Sequence, residues 1–328
     1  MSYTRRHFLK SAGVLAGTLV LGSYPSISQG GTMSRVAVVK SAGRKEGVRK
    51  VLMTFGSNPC KGKEVLIKPN FNTADPTPGS THNDTLTALV EEIWSMGAKS
   101  VSLGERSYPP TRQVMEEKGI LPWLEKLQVK VIDFDTLPDK DWVLIKPKGG
   151  HWPDGFRVAR PILETECLIS TCCLKTHQFG GVFTMSLKLH VGVVPTTRHG
   201  YHYMQQLHGS SHQRRMIAEI NKAFTPSLVV LDGVDAFVDG GPASGKRAKG
   251  NMFLASSDRV AVDACGVAML KLLGSNQAIM RRPIFEQEQI ARAVELGLGA
   301  SSPASIELVA EPESVALRDQ LVQMLKKG

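Results

Sequence analysis

Lysine, histidine and glycine are concentrated in one short segment of this sequence, and together they can bind and transform a small molecule. The segment runs from Leu174 to Gly181 and contains Lys175, His177 and Gly180. Lysine binds carboxylates and phosphates as a point charge, and histidine exchanges protons near neutral pH. Glycine lets the backbone approach a ligand closely. We therefore predict that Lys175, Gly180 and Gly181 bind a ligand and that His177 moves a proton.

Lys188 lies in a run that is otherwise small and apolar, which predicts a largely buried helix over 184–194. A buried lysine must find a partner, extend to a cavity or lose its charge. In a functional role it holds an anion or, with its pKa lowered by burial, acts as a base or nucleophile. The alternative is a hydrogen-bonded structural pairing. We predict His177 and Lys188 as the catalytic residues, with the N-terminus of this helix facing the same ligand.

Other candidate ligand-binding residues lie where predicted strands end. Lys68 and Asn70 end one strand, and they suit a carboxylate or phosphate as well as a surface turn. Asp232 follows a later strand. The loop 240–246, which contains Gly245, has the glycine and lysine spacing of a phosphate-binding loop, but Arg247 replaces the expected Ser or Thr and a strand follows. This context excludes a nucleotide-binding loop, although the glycine N–H groups can still face an anion.

Short apolar runs alternate with helical patterns along the chain, and this order predicts an α/β fold with mostly parallel sheets flanked by helices, as two α/β lobes around a cleft. A Pro/Gly-rich piece places the boundary between the lobes near 146–165. The predicted strands are 36–39, 65–68, 100–103, 129–134, 168–173, 228–231, 252–255 and 306–309. The predicted helices are 47–55, 84–96, 111–127, 184–194, 211–224, 259–273, 284–296 and 315–327. In such folds ligands bind beyond the carboxyl ends of the strands.

The metal-binding potential of the sequence is confined to histidine. Six of the nine histidines fall between His177 and His212, and His199 and His202 are weak candidates for metal ligands. No His-Glu-x-x-His motif is present. The five cysteines form no Cys-x-x-Cys pair, so the sequence gives no motif for an intrinsic iron–sulfur cluster. We expect the cysteines to be buried free thiols. The sequence leaves the identity of the native cofactor open.

The first residues resemble a twin-arginine signal. Arg5 and Arg6 precede Phe8, Leu9 and Lys10, and an apolar stretch too short to span a membrane follows. We predict a signal peptide over 1–28, a folded region over 33–328, the twin-arginine translocase as a partner and a periplasmic or extracytoplasmic location. An uncleaved anchor and a true start at Met33 are the alternatives.

The charge of the chain is compatible with an anionic partner. The formal net charge is +10, the charged residues are scattered and only 6% of residues are aromatic. A nucleic-acid surface interleaves basic and aromatic side chains, and this sequence has no such strip. We expect a small anionic ligand and no nucleic acid.

Several of these pieces, in their order along the chain, resemble the domain-of-unknown-function family 362. The matching stretches are 66–70, 174–177, 186–188 with Gly192, 232–233, 241–242 with Gly245, and 254–258 with 262–264. Members of that family are often fused to ferredoxin-like iron–sulfur modules, which implies redox or cofactor chemistry and a separate redox partner. This chain lacks the cysteine runs of those modules, and Leu189 follows Lys188 where many members have asparagine.

A second similarity concerns the nickel-pincer lactate racemase family. The order and spacing of His177, Gly180, Gly181, Lys188 and His202 resemble its site, where a histidine is an acid/base, a lysine carries the pincer and a later histidine ligates nickel. The arginine of that family's Asp-x-Thr-Arg-Pro segment is missing near Asp75. The resemblance implies an α/β fold with a cleft, and we assign no nickel from it.

The leading functional prediction is an exported cofactor-dependent or redox enzyme that acts on a small anionic molecule in a cleft lined by lysine and histidine. The alternative is a non-catalytic extracytoplasmic protein that binds a ligand or a metal. Perturbed pKa values in a closed cleft favour the enzyme, and an open histidine-lined surface favours the binding protein.

Overall fold

The computed structural model describes residues 33–328, which form one compact unit. The predicted signal peptide over 1–28 lies outside the described residues. The described part contains no helix that combines the length and apolar character needed to cross a membrane. A ten-stranded sheet forms the centre of this unit.

All eight predicted strands are present. The strands are β1 Ser34–Lys40, β2 Glu64–Lys68, β3 Ser100–Glu105, β4 Val129–Asp133, β5 Trp142–Ile145, β6 Phe156–Ala159, β7 Cys167–His177, β8 Val182–Thr184, β9 Thr197–Arg198, β10 Tyr201–His202, β11 Leu228–Gly240, β12 Gly245–Lys249, β13 Met252–Ser256 and β14 Ile306–Ala310. The helices are α1 Arg44–Phe55, α2 Asn83–Ser95, α3 Thr111–Glu117, α4 Leu121–Lys126, α5 Arg160–Glu164, α6 Ser186–Leu189, α7 Tyr203–Gly209, α8 Gln213–Ile220, α9 Arg259–Leu272, α10 Gln277–Met280, α11 Glu288–Glu295 and α12 Val315–Lys327.

The order of strands across the main sheet is β14-β1-β13-β11-β7-β2-β3-β4. Neighbours are parallel except where β13 runs against β1 and β11. β12 and β8 pair with the far ends of β11 and β7. The fold is therefore α/β with a mostly parallel sheet, as the alternation of elements predicts.

Helices cover both faces of the sheet because alternate residues of each strand point to opposite sides. Ala37, Val65 and Ile67 pack with helices α1 to α4 on one face. On the other face, Val36 packs with α9, α11 and α12, and Leu66 packs with α7 and α8. Both faces are buried along the central strands, which explains their continuous apolar runs. The segment 146–165 contains the turn between β5 and β6 and helix α5, and a division into two lobes there stays a prediction.

Four predicted helices differ from the structure, and in one of them, predicted over 211–224, α8 is followed by a 3-10 turn, Asn221–Ala223. The helix predicted over 111–127 is divided into α3 and α4 around Gly119, which has a positive φ of 64°. The one predicted over 184–194 is only the four residues of α6 followed by a 3-10 turn, His190–Val193. In the one predicted over 284–296, a 3-10 turn, Ile284–Glu286, precedes α11. Local apolar patterns do not reveal such breaks, because over a single turn the two helix types differ in period by only about 0.6 residue.

Candidate functional site

A cavity of about 790 Å³ opens beyond the carboxyl ends of β2, β3 and β7. This is the position at which open α/β sheets bind ligands. Its volume is within the range of small-molecule sites. The residues that line it are Lys68, Asn70, Asn72, Glu105, Arg106, Tyr108, Lys175, His177, Phe179, Gly180, Thr184, Lys188, Leu189, Val191, Gly192, Thr196, His202, Met204, His208, Gln213 and Pro242.

β7 extends four residues further than predicted and carries Lys175 and His177 on a strand instead of a loop. β8 pairs with this end, with Lys175 opposite Thr184 and His177 opposite Val182. On the other side β11 resumes its parallel pairing after an irregularity, with Phe237 opposite Lys175. The polar sequence indicates a loop, but strands on both sides satisfy the backbone and hold it extended.

Lys68 and Glu105 form a buried ion pair in the wall of the cavity, with Nζ and Oε1 2.5 Å apart. Lys68 also donates to the carbonyl of Pro69 at 2.8 Å, and Glu105 accepts from the N–H groups of Phe71 and Arg106. Burial lowers the pKa of Lys68 and raises the pKa of Glu105. Either position of the shared proton leaves the pair without net charge.

Arg106 adds a positive charge to the cavity without a carboxylate in hydrogen-bond contact. Its Nη2 donates to the carbonyl of Val191 at 3.2 Å, and its Nη1 donates to Thr196 Oγ1 at 3.3 Å. Its Nε is buried and has no partner among the described residues. Burial lowers the pKa of Arg106, but a guanidinium remains charged in proteins.

Lys175 occupies another wall and is held by two carbonyl groups. Its Nζ donates to Gly79 at 2.5 Å and to Pro242 at 3.2 Å. Burial is the main cause that lowers the pKa of Lys175 to about 8. Carbonyl acceptors orient the ammonium group but do not neutralise it, so a bound anion would stabilise its charged form.

Lys188 is buried, with 9% of its surface exposed, and no ion pair or hydrogen bond of the described residues involves its Nζ. Burial, followed by the charges of Lys175 and Arg106, lowers the pKa of Lys188 to about 7. The structural pairing considered from the sequence is therefore absent from the described part of the chain. An amine near half-protonation at neutral pH is suited to proton transfer.

Helix α6 carries Lys188, and Asp263 of α9 fixes its start. The Asp263 carboxylate accepts from the N–H groups of Ser186 at 2.7 Å and Leu187 at 3.1 Å. The N-terminal N–H groups predicted to face a ligand are thus already occupied, and α6 is too short to have a substantial dipole. Asp263 positions Lys188 through the backbone of α6.

His177 lies beside Lys188, with Gly181 between them. A β-carbon on Gly181 would be 2.6 Å from Lys188 Cε and 2.9 Å from His177 Nδ1. Burial and the nearby lysines lower the pKa of His177 to about 2, so its imidazole is neutral at pH 7. Its Nδ1 is buried without a hydrogen-bond partner among the described residues.

Not every predicted site residue belongs to the cavity. Asp232 is absent from the lining and binds Arg44 at 3.0 Å and Thr85 at 2.6 Å, residues of α1 and α2. Gly245 starts β12, where a β-carbon would collide with the carbonyl of Asp239. These two residues stabilise a face of the sheet and a hairpin, respectively.

The two histidines suggested as metal ligands have different surroundings in the structure. His202 lines the cavity, and its Nδ1 accepts from the N–H of Gln205 at the start of α7. His199 lies in the turn between β9 and β10, 3.9 Å from Asp139. Residues 33–328 contain no group of three or more His, Cys, Asp or Glu side chains placed to hold a metal ion. The five cysteines are all buried and free.

Sequence reasoning missed Glu105 and Arg106, although the signal was present. Both residues follow the apolar run of β3, at the same kind of strand end that identified Lys68. Tyr108 follows the same strand end, whereas His208 and Gln213 had no such signal, because they approach the cavity from α7 and α8.

Comparison with known proteins identifies the family of this chain. Residues 65–268, more than half of the chain, match the model of a domain of unknown function, DUF362. The chain therefore belongs to the DUF362 family. A Synechocystis protein described as thylakoid-associated is 26% identical over 220 residues, 64% of each chain.

Two solved structures are similar in part. The lactate racemase apoprotein from Thermoanaerobacterium thermosaccharolyticum is 17% identical with a TM-score of 0.46, covering 73% of this chain and 58% of its own. A Thermotoga maritima protein solved by structural genomics is 12% identical with a TM-score of 0.43, covering 70% of this chain and 56% of its own. The chain thus matches less than two thirds of each of these proteins and of the Synechocystis relative.

Proposed function

We propose that this member of the DUF362 family is an enzyme that binds a small anionic molecule in the cavity and transfers a proton to or from it through Lys188. The observation that carries the proposal is the amine of the buried residue Lys188, which has no ion pair or hydrogen bond among the described residues and faces a cavity with an excess of positive charge. A buried charge without a partner costs folding free energy, so a ligand that supplies the partner explains why the residue is tolerated.

The charges around the cavity support an anion. Four cationic side chains and one carboxylate line it, and Glu105 neutralises only Lys68. Among residues 33–328, Arg106, Lys175 and Lys188 have no acidic partner in contact. Mutual repulsion and burial oppose their protonation, and a carboxylate or phosphate would relieve both effects.

The pKa of Lys188, about 7, supports proton transfer. At neutral pH a large fraction of the amine is free to act as a base, and its conjugate acid is available for the reverse step. His177 acts as a neutral hydrogen-bonding group in the ligand-free protein, because its pKa is about 2. An anion bound beside it would raise that pKa and let the imidazole share the proton.

A non-catalytic binding protein is the second candidate, favoured by Lys175, whose ammonium group is bound only to the carbonyls of Gly79 and Pro242 among the described residues. Such a group holds an anion without any reaction.

Under either function we propose export by the twin-arginine route, supported by Arg5 and Arg6 and consistent with the thylakoid description of the Synechocystis relative. We also propose that any redox cofactor is supplied by a separate partner.

Calorimetry with a panel of carboxylic acids and phosphate esters of three to six carbons tests the proposal. We expect binding to the wild type and its loss in Lys188→Met. Lys271→Met is a matched control, because Lys271 has a similar exposed fraction, 8%, but lies outside the cavity. Replacement of a ligand C–H hydrogen by deuterium in D₂O, observed by NMR, would indicate the enzyme, and binding without this exchange would indicate the binding protein. Binding of no anion, or equal binding by Lys188→Met, would contradict the proposal.

A further inference from the structure

Three cations of the cavity, Arg106, Lys188 and Lys175, form a series across it. Lys175 is anchored to Gly79 and to Pro242 in the turn between β11 and β12. Arg106 is anchored elsewhere, to Val191 after α6 and to Thr196 before β9. Lys188, on α6, lines the same cavity, and the charges of both Lys175 and Arg106 act on it. In the sheet, β2 lies between β7, which carries Lys175, and β3, which Arg106 directly follows, so the backbones of these two residues are on the order of 10 Å apart.

Each end of this series also has a buried polar atom without a partner among residues 33–328. At the end formed by Arg106, this atom is Arg106 Nε. The end formed by Lys175 has two such atoms. Thr184 Oγ1 belongs to the residue opposite Lys175 in the β7–β8 ladder, and His177 Nδ1 lies beside Lys188. Buried polar groups are almost always hydrogen-bonded in native proteins. Two separate walls of the cavity therefore each combine a cation with polar side chains, which suits a ligand with two separated acidic groups.

We propose that the ligand is a dianion with two separated acidic groups, one bound by Arg106 and the other between Lys175 and Lys188. This inference rests on the proposed function and specifies its substrate class. A monoanion would satisfy one end and leave the cation at the other end unpaired. The volume of about 790 Å³ leaves room for a chain that joins two acidic groups.

The shared chemistry of the ligand is two acidic groups, which a dicarboxylate or a phosphorylated carboxylic acid supplies. Protonation follows from the same arrangement. An acidic group between Lys175 and Lys188 favours their charged forms, so binding of a dianion takes up protons from solution near pH 8. A ligand bound by Arg106 alone takes up fewer protons, because guanidinium does not titrate there.

Titration calorimetry of the wild type with matched acids tests the proposal. Butyrate and valerate are the monoanions, succinate and glutarate the dicarboxylates, and 3-phosphoglycerate, which carries about three negative charges at pH 8, the phosphorylated acid. We expect at least one of the two classes with two acidic groups to bind about tenfold or more tightly than the monoanions, since it makes additional charge-assisted hydrogen bonds. Measurements at pH 8 in two buffers with different ionisation enthalpies should show proton uptake.

Arg106→Gln provides the second arm. It should lower the affinity for dianions to that for monoanions, whereas Lys188→Met should weaken the binding of both classes. Equal affinity of the wild type for monoanions and dianions would overturn the dianion proposal and leave the proposed function intact. Binding of neither class would overturn both. The wild-type comparison decides the proposal even if Arg106→Gln fails to fold.

Discussion

Lys68 at the end of β2 and Glu105 at the end of β3 form a fully buried ion pair, with 2.5 Å between Nζ and Oε1. The parallel pairing of β2 and β3 brings the two strand ends together. The pair neutralises one of the four cations of the cavity. Lys68 therefore has a structural role as the partner of Glu105, whereas the amine of Lys188 has no ion pair or hydrogen bond among the described residues.

Lys68→Met should destabilise the protein by about 3–5 kcal/mol, because it leaves the Glu105 carboxylate buried and unpaired. Denaturant unfolding at pH 7 measures the loss. The penalty should shrink in acid, since Glu105 can then take up a proton. The double variant Lys68→Met/Glu105→Gln should recover part of the stability. A single variant as stable as the wild type would show that the pair does not stabilise the fold.

Lys188→Met should fold with a melting temperature equal to or above that of the wild type. It removes a buried charge that has no ion pair or hydrogen bond among the described residues, so no partner is left unsatisfied. Lys271→Met should instead lower the melting temperature, since Lys271 donates to the carbonyls of Met280 and Gly328. A clear destabilisation by Lys188→Met would favour the structural role.

The free energy of unfolding should rise with pH above neutrality in a way that depends on Lys188. Its pKa falls from an ordinary value of 10.5 to about 7 on folding. Between these values the unfolded chain holds a proton that the folded protein lacks, so folding is favoured as pH rises, by at most about 1.4 kcal/mol per unit. The free energy of unfolding, measured from pH 7 to 9, should rise less steeply with pH in Lys188→Met than in the wild type. An equal rise in the two proteins would contradict the lowered pKa of Lys188.

Gly181→Ala should weaken anion binding without unfolding the protein. The new β-carbon would be 2.6 Å from Lys188 Cε and 2.9 Å from His177 Nδ1, so the lysine side chain must move. Gly209→Ala is the matched control, because no atom lies within 4 Å of a β-carbon there. Calorimetry and thermal melts of both variants make the comparison. If Gly181→Ala bound the anion as tightly as the wild type, Lys188 would not contact the ligand.

Replacing Arg5 and Arg6 by Lys should retain the protein in the cytoplasm of its host, because the twin-arginine route recognises the guanidinium pair as an address and not as charge alone. Cell fractionation with an antibody against the folded region provides the measurement. Export of the double variant at the wild-type level would exclude this route.

The sequence by itself determined the α/β class and several components of the cavity. Apolar runs mark strands such as β2 and β7, and polar residues that follow them face the ligand-binding edge of a parallel sheet. This reasoning identified Lys68, Lys175 and His177, and it applies equally to Glu105 and Arg106. Lys188 was identified by a different signal, a charge within an apolar helix.

Only the tertiary structure decided how each of these groups is used. The run of β11 is apolar on both faces, so the sequence does not reveal that Asp232 points toward α1 and α2, away from the cavity. Nor does it reveal that Lys68 is paired while Lys188 is not. Side-chain direction depends on strand register, and charge pairing depends on contacts between residues far apart in the chain. Local residue patterns contain neither kind of information.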